Sequence, residues 1–393
     1  MNQMPAIVAI GYNRKDSLER LLNSILDADY PDGEIPLIIS IDHHPDNQPV
    51  IDLANSIRWE HGPKIVKTHD QRMGLDPHVL ECGDYCSTYG CAILLEDDLL
   101  VARDFYRYTL AAQEFYADCP QVAGVALYSY AKDTKGIFPF TPQASPWDTY
   151  FIGTKVSWGQ SWTATQWEAF LTWYHAHPVP EETDAVPDSV WQWPRECWDR
   201  AYCAYMADTR KYFVCGYFSR STCFNEAGQH FNNREIWFQS RLMQGVPEAY
   251  RFPPFEQGVK YDSYLESTEL QPYLDAYTGG KPVRVAIYGG HLQGEETYLL
   301  TTQALPYAIV ADFGYEMTPP EQNIIYGISG NDIHLYDLSR PGPKPANRFI
   351  WEQHELCTLR VKHLLKFCLF RLTNKIRHRL SIKKVCKERF HHD

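Results

Sequence analysis

Three adjacent carboxylates, Glu96, Asp97 and Asp98, follow the apolar run Cys91 to Leu95 without a spacer. Held together at the exit of a buried strand, they repel one another and lose hydration, so a cation or a set of hydrogen-bond donors must compensate them. A divalent metal with oxygen ligands does this economically. A metal held in this way bridges a substrate diphosphate and neutralises charge on a departing phosphate. The same triplet would also serve as a solvated acidic turn, and only the surrounding residues separate the two.

The elements that position the triplet follow from periodicity. Ala6 to Gly11, Leu37 to Ile41, Ile65 to Thr68 and Cys91 to Leu95 read as strands, and Val122 to Tyr128 and Tyr212 to Tyr217 continue the series. Between them Ser17 to Leu26, with Asp16 placed to cap it, Asp52 to Trp59, Pro77 to Thr88, Asp104 to Tyr116, Thr165 to His175 and Arg195 to Thr209 read as helices. Strands this apolar on successive residues are buried on both faces, which implies an α/β fold with a largely parallel sheet between helices. Ligands in such sheets bind at the carboxyl ends of the strands, where the triplet stands. Phe138 to Ser157 reads as a loop region, and His177 to Pro194, rich in Pro and acid, as an exposed excursion suited to a lid.

Composition narrows the function classes. The chain has 393 residues, 44% hydrophobic and 22% charged, which excludes a disordered chain and a lone small module. Cys357 to Asp393 holds eleven Lys or Arg against two acidic residues, so this segment is +9 and the preceding body −21 of the total −12. An acidic body with a basic, Leu- and Phe-rich tail suits an anionic lipid surface. Nucleic acid does not fit an acidic body without a recognition module. Aromatic residues reach 14%, including 11 Trp and 26 Tyr, the kind of side chain on which sugar clefts stack pyranose rings. Eleven scattered cysteines without a repeated CxxC pattern, and no visible signal peptide or membrane span, point to a cytoplasmic protein.

Five segments in order resemble glycosyltransferases with a GT-A fold. Leu94 to Tyr106, LLEDDLLVARDFY, is similar to the metal-binding element of the N-acetylglucosaminyltransferases that initiate complex N-glycans, and Ala6 to Arg14, AIVAIGYNR, to their first nucleotide-binding strand. Ile38 to Asp42, IISID, resembles the second strand. Ser157 to Thr163, SWGQSWT, and Ser219 to Phe231, SRSTCFNEAGQHF, resemble two later elements of bacterial polysaccharide glycosyltransferases, with departures at Gln160 and at Cys223-Phe224-Asn225. The resemblance implies that Arg14 and Asp42 contact the nucleoside, with Gly74 allowing a backbone loop to approach and His78 close to the base. It implies that Glu96 and Asp97 bond the donor sugar or ribose, that Asp98 is the direct Mn2+ or Mg2+ ligand, and that Trp158 and Ser219 line the substrate site. Trp198-Asp199 precedes Ser219 by twenty positions, as a catalytic Trp-Asp does in the N-glycan enzymes, which makes Asp199 the expected general base.

The expectation is therefore a metal-dependent, inverting hexosyl- or N-acetylhexosaminyltransferase. It would move a sugar from a nucleoside diphosphate donor, UDP-linked, to a glycan or lipid-linked glycan during bacterial surface-polysaccharide assembly, peripheral on the inner face of the membrane. The expected organisation is a GT-A domain over residues 1–260, a β-rich appendage over 261–345 and a basic helical tail over 346–393. Two rivals stand beside it. A nucleotidyltransferase of sugar phosphates would carry a Gly-rich basic loop near its first strand, which GYNRKDS lacks. A non-catalytic glycan- or lipid-binding scaffold would bind no donor.

Overall fold

Every residue from Ala6 to Gly11 is buried, as a strand covered on both faces requires. The computed structural model describes residues 4–132, 139–224, 239–346 and 360–373 and places this strand, β1, inside a mixed sheet. In chain order follow α1 (Lys15–Leu26), β2 (Leu37–Ile41), α2 (Gln48–Ser56), β3 (Lys64–Thr68), α3 (Leu75–Gly83), α4 (Tyr85–Tyr89), β4 (Cys91–Glu96), β5 (Leu99–Val101) and α5 (Phe105–Phe115). Then come β6 (Val122–Ala126), β7 (Thr149–Ile152), β8 (Gln160–Thr163), α6 (Ala164–Ala176), α7 (Asp188–Trp191), α8 (Trp198–Thr209), β9 (Tyr212–Gly216), β10 (Ser221–Cys223) and β11 (Lys260–Tyr261). The last elements are α9 (Gln271–Thr278), β12 (Val283–Ala286), β13 (Tyr298–Thr301), β14 (Tyr307–Phe313), α10 (Glu321–Ile325) and β15 (Ile333–Pro341).

Among the described residues the main sheet has nine strands in the order β11-β7-β9-β6-β8-β4-β1-β2-β3. β1, β2, β3, β4, β6 and β9 run one way, while β8 and β7 are antiparallel to their neighbours. Alternation along β1 divides the core. Ile7 and Ala9 join the layer under α1 and α5, with Leu18, Leu22 and Tyr108, and Ala6, Val8 and Ile10 join the layer under α3, α6 and α8, with Val79, Trp167 and Tyr202. The expected α/β fold is present, a large mixed sheet flanked by helices. β12, β13, β15 and β14 form a separate four-stranded sheet with its own core of Leu300, Phe313 and Leu335.

Four local expectations are corrected. Asp16 lies inside the first turn of α1, whose N-cap is Arg14 without a side-chain cap bond. The helix expected over Pro77 to Thr88 divides into α3 and α4 at Asp84, whose Oδ1 accepts the Trp167 indole N–H at 3.0 Å; a Cβ at Gly83 would lie 2.0 Å from that ring. The supposed loop over Phe138 to Ser157 contains β7, which is fully buried. The acidic excursion is largely exposed, as expected, but it is pinned rather than a free lid: Val186 and Val190 are buried against Cys203, and the Tyr264 hydroxyl donates to the carbonyls of Asp184 and Val186 at 2.9 and 3.1 Å. The expected boundary at 260/261 falls inside a single compact unit that runs to Lys344. In the tail, residues 361–373 form a helix; residues 347–359 and 374–393 of the expected tail lie outside the described residues, as do 225–238, which hold the end of the SRSTCFNEAGQHF segment. No helix among the described residues is long and apolar enough to cross a membrane.

Candidate functional site

The carboxyl ends of β1, β2, β3, β4, β6 and β9 share one edge of the sheet, and so do the starts of the antiparallel β7 and β8. Topology alone therefore brings Arg14, Asp42, Gly74, Glu96, Asp97, Asp98, Trp158 and Ser219 to that edge, the ligand-binding side of such sheets. Their chemistry differs sharply from one to the next.

Arg14 compensates the triplet. Its guanidinium forks onto Asp97, with Nε 3.2 Å from Oδ2 and a second, shorter contact to Oδ1, and lies 3.4 Å from Asp98 Oδ2. The Asp97 side chain is 6% exposed and that of Asp98 24%, so Asp98 is the carboxylate turned toward solvent. Glu96 faces the other layer. Burial pushes its carboxyl pKa upward and Asp98 and Asp97 add to this, while Lys155 and Arg14 oppose it. Among the described residues no three His, Cys, Asp or Glu side chains converge as a ready-made metal cage. One presented carboxylate is nonetheless the donor set that Mg2+-like ions use when substrate phosphates and water complete the shell. The residues fit a hard divalent cation at Asp98.

Asp42 does not reach outward. It is 4% exposed, and its carboxylate accepts the backbone N–H groups of His43, Met73 and Gly74 at 2.8, 2.8 and 3.0 Å. Gly74 sits at φ +88°, where only glycine is unstrained, although a Cβ there would meet nothing within 4 Å. Two residues on, Asp76 Oδ1 accepts the Trp198 N–H at 2.9 Å and so ties this loop to the start of α8. Burial pulls the Asp42 pKa up, but the three N–H donors outweigh it and hold the carboxyl below its ordinary range. A depressed folded pKa gives stabilisation that is full above the unfolded value of ~3.9 and is lost as the pH falls through the folded value. Asp42→Asn should lower unfolding free energy by about 1–3 kcal/mol at neutral pH. In urea melts across pH, the gap to wild type should close as the solution is acidified below ~4; a gap independent of pH would remove the charged-acceptor account.

Asp199 stands in the first turn of α8 and pairs with Lys155, a residue that sequence reasoning missed. The Lys155 side chain is 2% exposed, its Nζ lies 3.5 Å from the centroid of the Trp198 ring and donates to Ser157 Oγ at 3.3 Å. Burial drives the Lys155 pKa down, while Cys203 and Glu96 oppose that shift. Lys155 thus links Asp199 electrostatically to the strand-end carboxylates. No local signal marks it: Lys155 is a lone Lys in the Phe138 to Ser157 stretch that reads as a loop, where a solvent-facing lysine is the ordinary expectation.

The remaining expected residues are placed as supports. His78 is buried with Nε2 2.7 Å from Ser40 Oγ, and burial with nearby His69 lowers its pKa to about 4, so it is a neutral core histidine at pH 7. The Ser219 hydroxyl accepts from Ser129 N at 3.0 Å and donates to the Ser221 carbonyl at 2.6 Å, tying β6 to the segment after β9. Trp158 packs against Tyr128 at 4.7 Å between centroids. Gly159 takes φ +90°, where a Cβ would lie 3.1 Å from Leu127 Cβ.

No family model matches the chain, and no curated protein matches it. Among solved structures it is similar to a mannosyltransferase, PcManGT, from Pyrobaculum calidifontis in complex with GDP-Man and Mn2+, with 16% identity, 43% of this chain and 46% of that chain covered and a TM-score of 0.31. It is also similar to GalNAc-T7 with UDP, GalNAc and Mn2+, at 13% identity over 61% of this chain and 45% of that one, TM-score 0.43. A third is TarS 1-349 from S. aureus in complex with UDP, at 10% identity over 54% and 57%, TM-score 0.33. The chain spans about half the length of these structures. The likeness is one of partial fold and assigns no residue of the site.

Proposed function

We propose that the chain is a metal-dependent glycosyltransferase that moves a sugar from a nucleoside diphosphate donor, UDP-linked, to a glycan or lipid-linked glycan with inversion. The observation that carries the reading is the strand-end triplet itself: one carboxylate turned outward at Asp98, with Asp97 and Glu96 behind it and the cations of Arg14 and Lys155 on either side. In the reaction the acceptor oxygen bonds to the sugar C1, the C1–O bond to the diphosphate breaks, and the acceptor proton passes to a carboxylate. We assign that carboxylate to Asp199, which pairs with Lys155 at the start of α8. A Mn2+ or Mg2+ ion at Asp98 would supply charge to the departing diphosphate. Asp42 and Gly74 set the nucleotide-side loop, and the Arg14 guanidinium, paired with both Asp97 and Asp98, offsets their mutual repulsion.

Calorimetry with nucleoside diphosphates and their sugars, with Mn2+ and with chelator, tests the reading. Metal-dependent binding of at least one of them is expected; no binding under either condition would overturn it in favour of a scaffold.

We place the protein peripherally on an anionic membrane, at the cytoplasmic face of a bacterial cell, for surface-polysaccharide assembly. Support comes from the helix over residues 361–373, where Val361, Leu365, Leu369 and Leu372 recur at helical spacing and are 57–70% exposed, beside Lys362 and Lys366. Exposed apolar residues, Phe367 and Phe370 with them, interspersed with basic ones suit the headgroup boundary, where each Lys or Arg adds roughly 1 kcal/mol. Removing residues 357–393 should cut co-sedimentation with phosphatidylglycerol-containing vesicles at least tenfold and leave binding to neutral vesicles weak throughout. Equal sedimentation of both chains would end the lipid assignment.

A further inference from the structure

A concavity opens at the same edge of the sheet, away from the triplet. Trp147 and Asp148 before β7, Tyr217 and Phe218 after β9, and Tyr250 and Arg251 line a pocket of about 510 Å3. Three steps along the sheet, β9 to β6 to β8 to β4, separate it from Glu96, or about 15 Å at the ~4.8 Å spacing of neighbouring strands.

The pocket is built rather than incidental. Asp148 and Arg251 clasp each other through both backbones: Arg251 N donates to Asp148 Oδ2 at 2.7 Å and Asp148 N to the Arg251 carbonyl at 2.9 Å. Tyr217 is anchored by its hydroxyl to the Gln143 carbonyl at 2.7 Å and to Ser145 Oγ at 3.0 Å. Beneath lies Arg220, 3% exposed, paired with the fully buried Asp104 and stacked on Tyr108 at 4.2 Å. Tyr250 donates to the same Asp104 at 3.2 Å. Above this fixed floor Phe218 is 46% exposed, with the Arg241 guanidinium 5.3 Å from its ring centroid. An exposed aromatic ring beside a half-buried one, next to the Asp148–Arg251 ion pair at 3.5 Å, suits an amphipathic ring with apolar C–H bonds on its faces and hydroxyls around its rim.

We propose that this pocket is a pyranose-binding subsite; resting on the transferase reading, it receives a ring of the acceptor glycan beyond the one that reacts. Trp147 and Phe218 offer the faces, and Asp148 and Arg251 the rim contacts. An acceptor bound there is held by a part of itself remote from the reacting hydroxyl, which positions that hydroxyl at the triplet.

Saturation-transfer NMR on the full chain with methyl glucopyranosides, galactopyranosides and mannopyranosides and with N-acetylglucosamine, in the presence of UDP and Mn2+, tests the subsite. At least one sugar should give ring-proton signals that fall fivefold or more in Trp147→Ala and in Phe218→Ala and persist in Asp98→Ala. Phe218 is exposed enough that its variant should melt with the wild type, which guards against a misfolded Trp147 variant. Signals unchanged in the Phe218 variant, or no signal from any sugar, would overturn the subsite. Nucleotide calorimetry on the same proteins separates the two claims. Nucleotide binding without sugar signals removes the subsite alone, whereas sugar signals without nucleotide binding remove the transferase reading and its acceptor role.

Discussion

Asp98→Asn should lower kcat by ~10²–10³-fold or more and reduce Mn2+-dependent nucleotide affinity to the level seen with chelator, while the protein melts within a few degrees of wild type. The asymmetry within the triplet carries this expectation. Asp97 is 6% exposed and clamped by the Arg14 fork, so removing its charge strands a partly buried guanidinium and should cost stability as well as binding. Asp98, at 24% exposed and 3.4 Å from the same guanidinium, shares that ion pair at greater exposure to solvent. Asparagine keeps its shape and one oxygen but not its charge, and a hard cation discriminates strongly on charge. Parallel melting curves and metal titrations of the Asp97 and Asp98 variants read out both effects. Equal loss of stability in the two variants, with metal dependence intact in Asp98→Asn, would make the triplet a structural ion-pair cluster.

The sheet was legible because the apolar runs at Ala6, Leu37 and Cys91 are short, uniform and buried on both sides, which leaves a strand little alternative. Once their order was read, the strand ends had to meet at one edge, so the triplet's neighbourhood followed from topology rather than from any side chain. The finer assignments depended on partners far away in sequence. Asp42 looked like a ligand-facing residue, but its buried carboxylate accepts the backbone N–H groups of His43, Met73 and Gly74, the last two about thirty residues later, and no local pattern announces that. His78 fell the same way to Ser40 and Ser219 to Ser129. Lys155 was invisible because a buried lysine is the improbable choice from composition alone, and only the contacts with Asp199 and Trp198 explain it. Strand β7 was hidden within a Pro- and Gly-bearing stretch whose four buried residues are too few for periodicity to register.

Asp199→Asn should reduce nucleoside diphosphate release by ~10²–10⁴-fold, the range a positioned base contributes, while nucleotide and Mn2+ affinity stay within about twofold of wild type. The amide is nearly isosteric, keeps an oxygen toward the Lys155 ammonium and cannot take a proton. Lys155→Met is a poorer probe, because it removes the cation that both Asp199 and the buried face of Glu96 lean on and should lower the melting temperature as well as the rate. The split between binding and turnover separates the roles: a purely structural Asp199 would shift α8, its Asp76 tie and the nucleotide-side loop together, so binding would fall with the rate. Full activity in the Asn variant would sink the base assignment outright. Loss of turnover with binding preserved would leave Asp199 as the group that receives the acceptor proton.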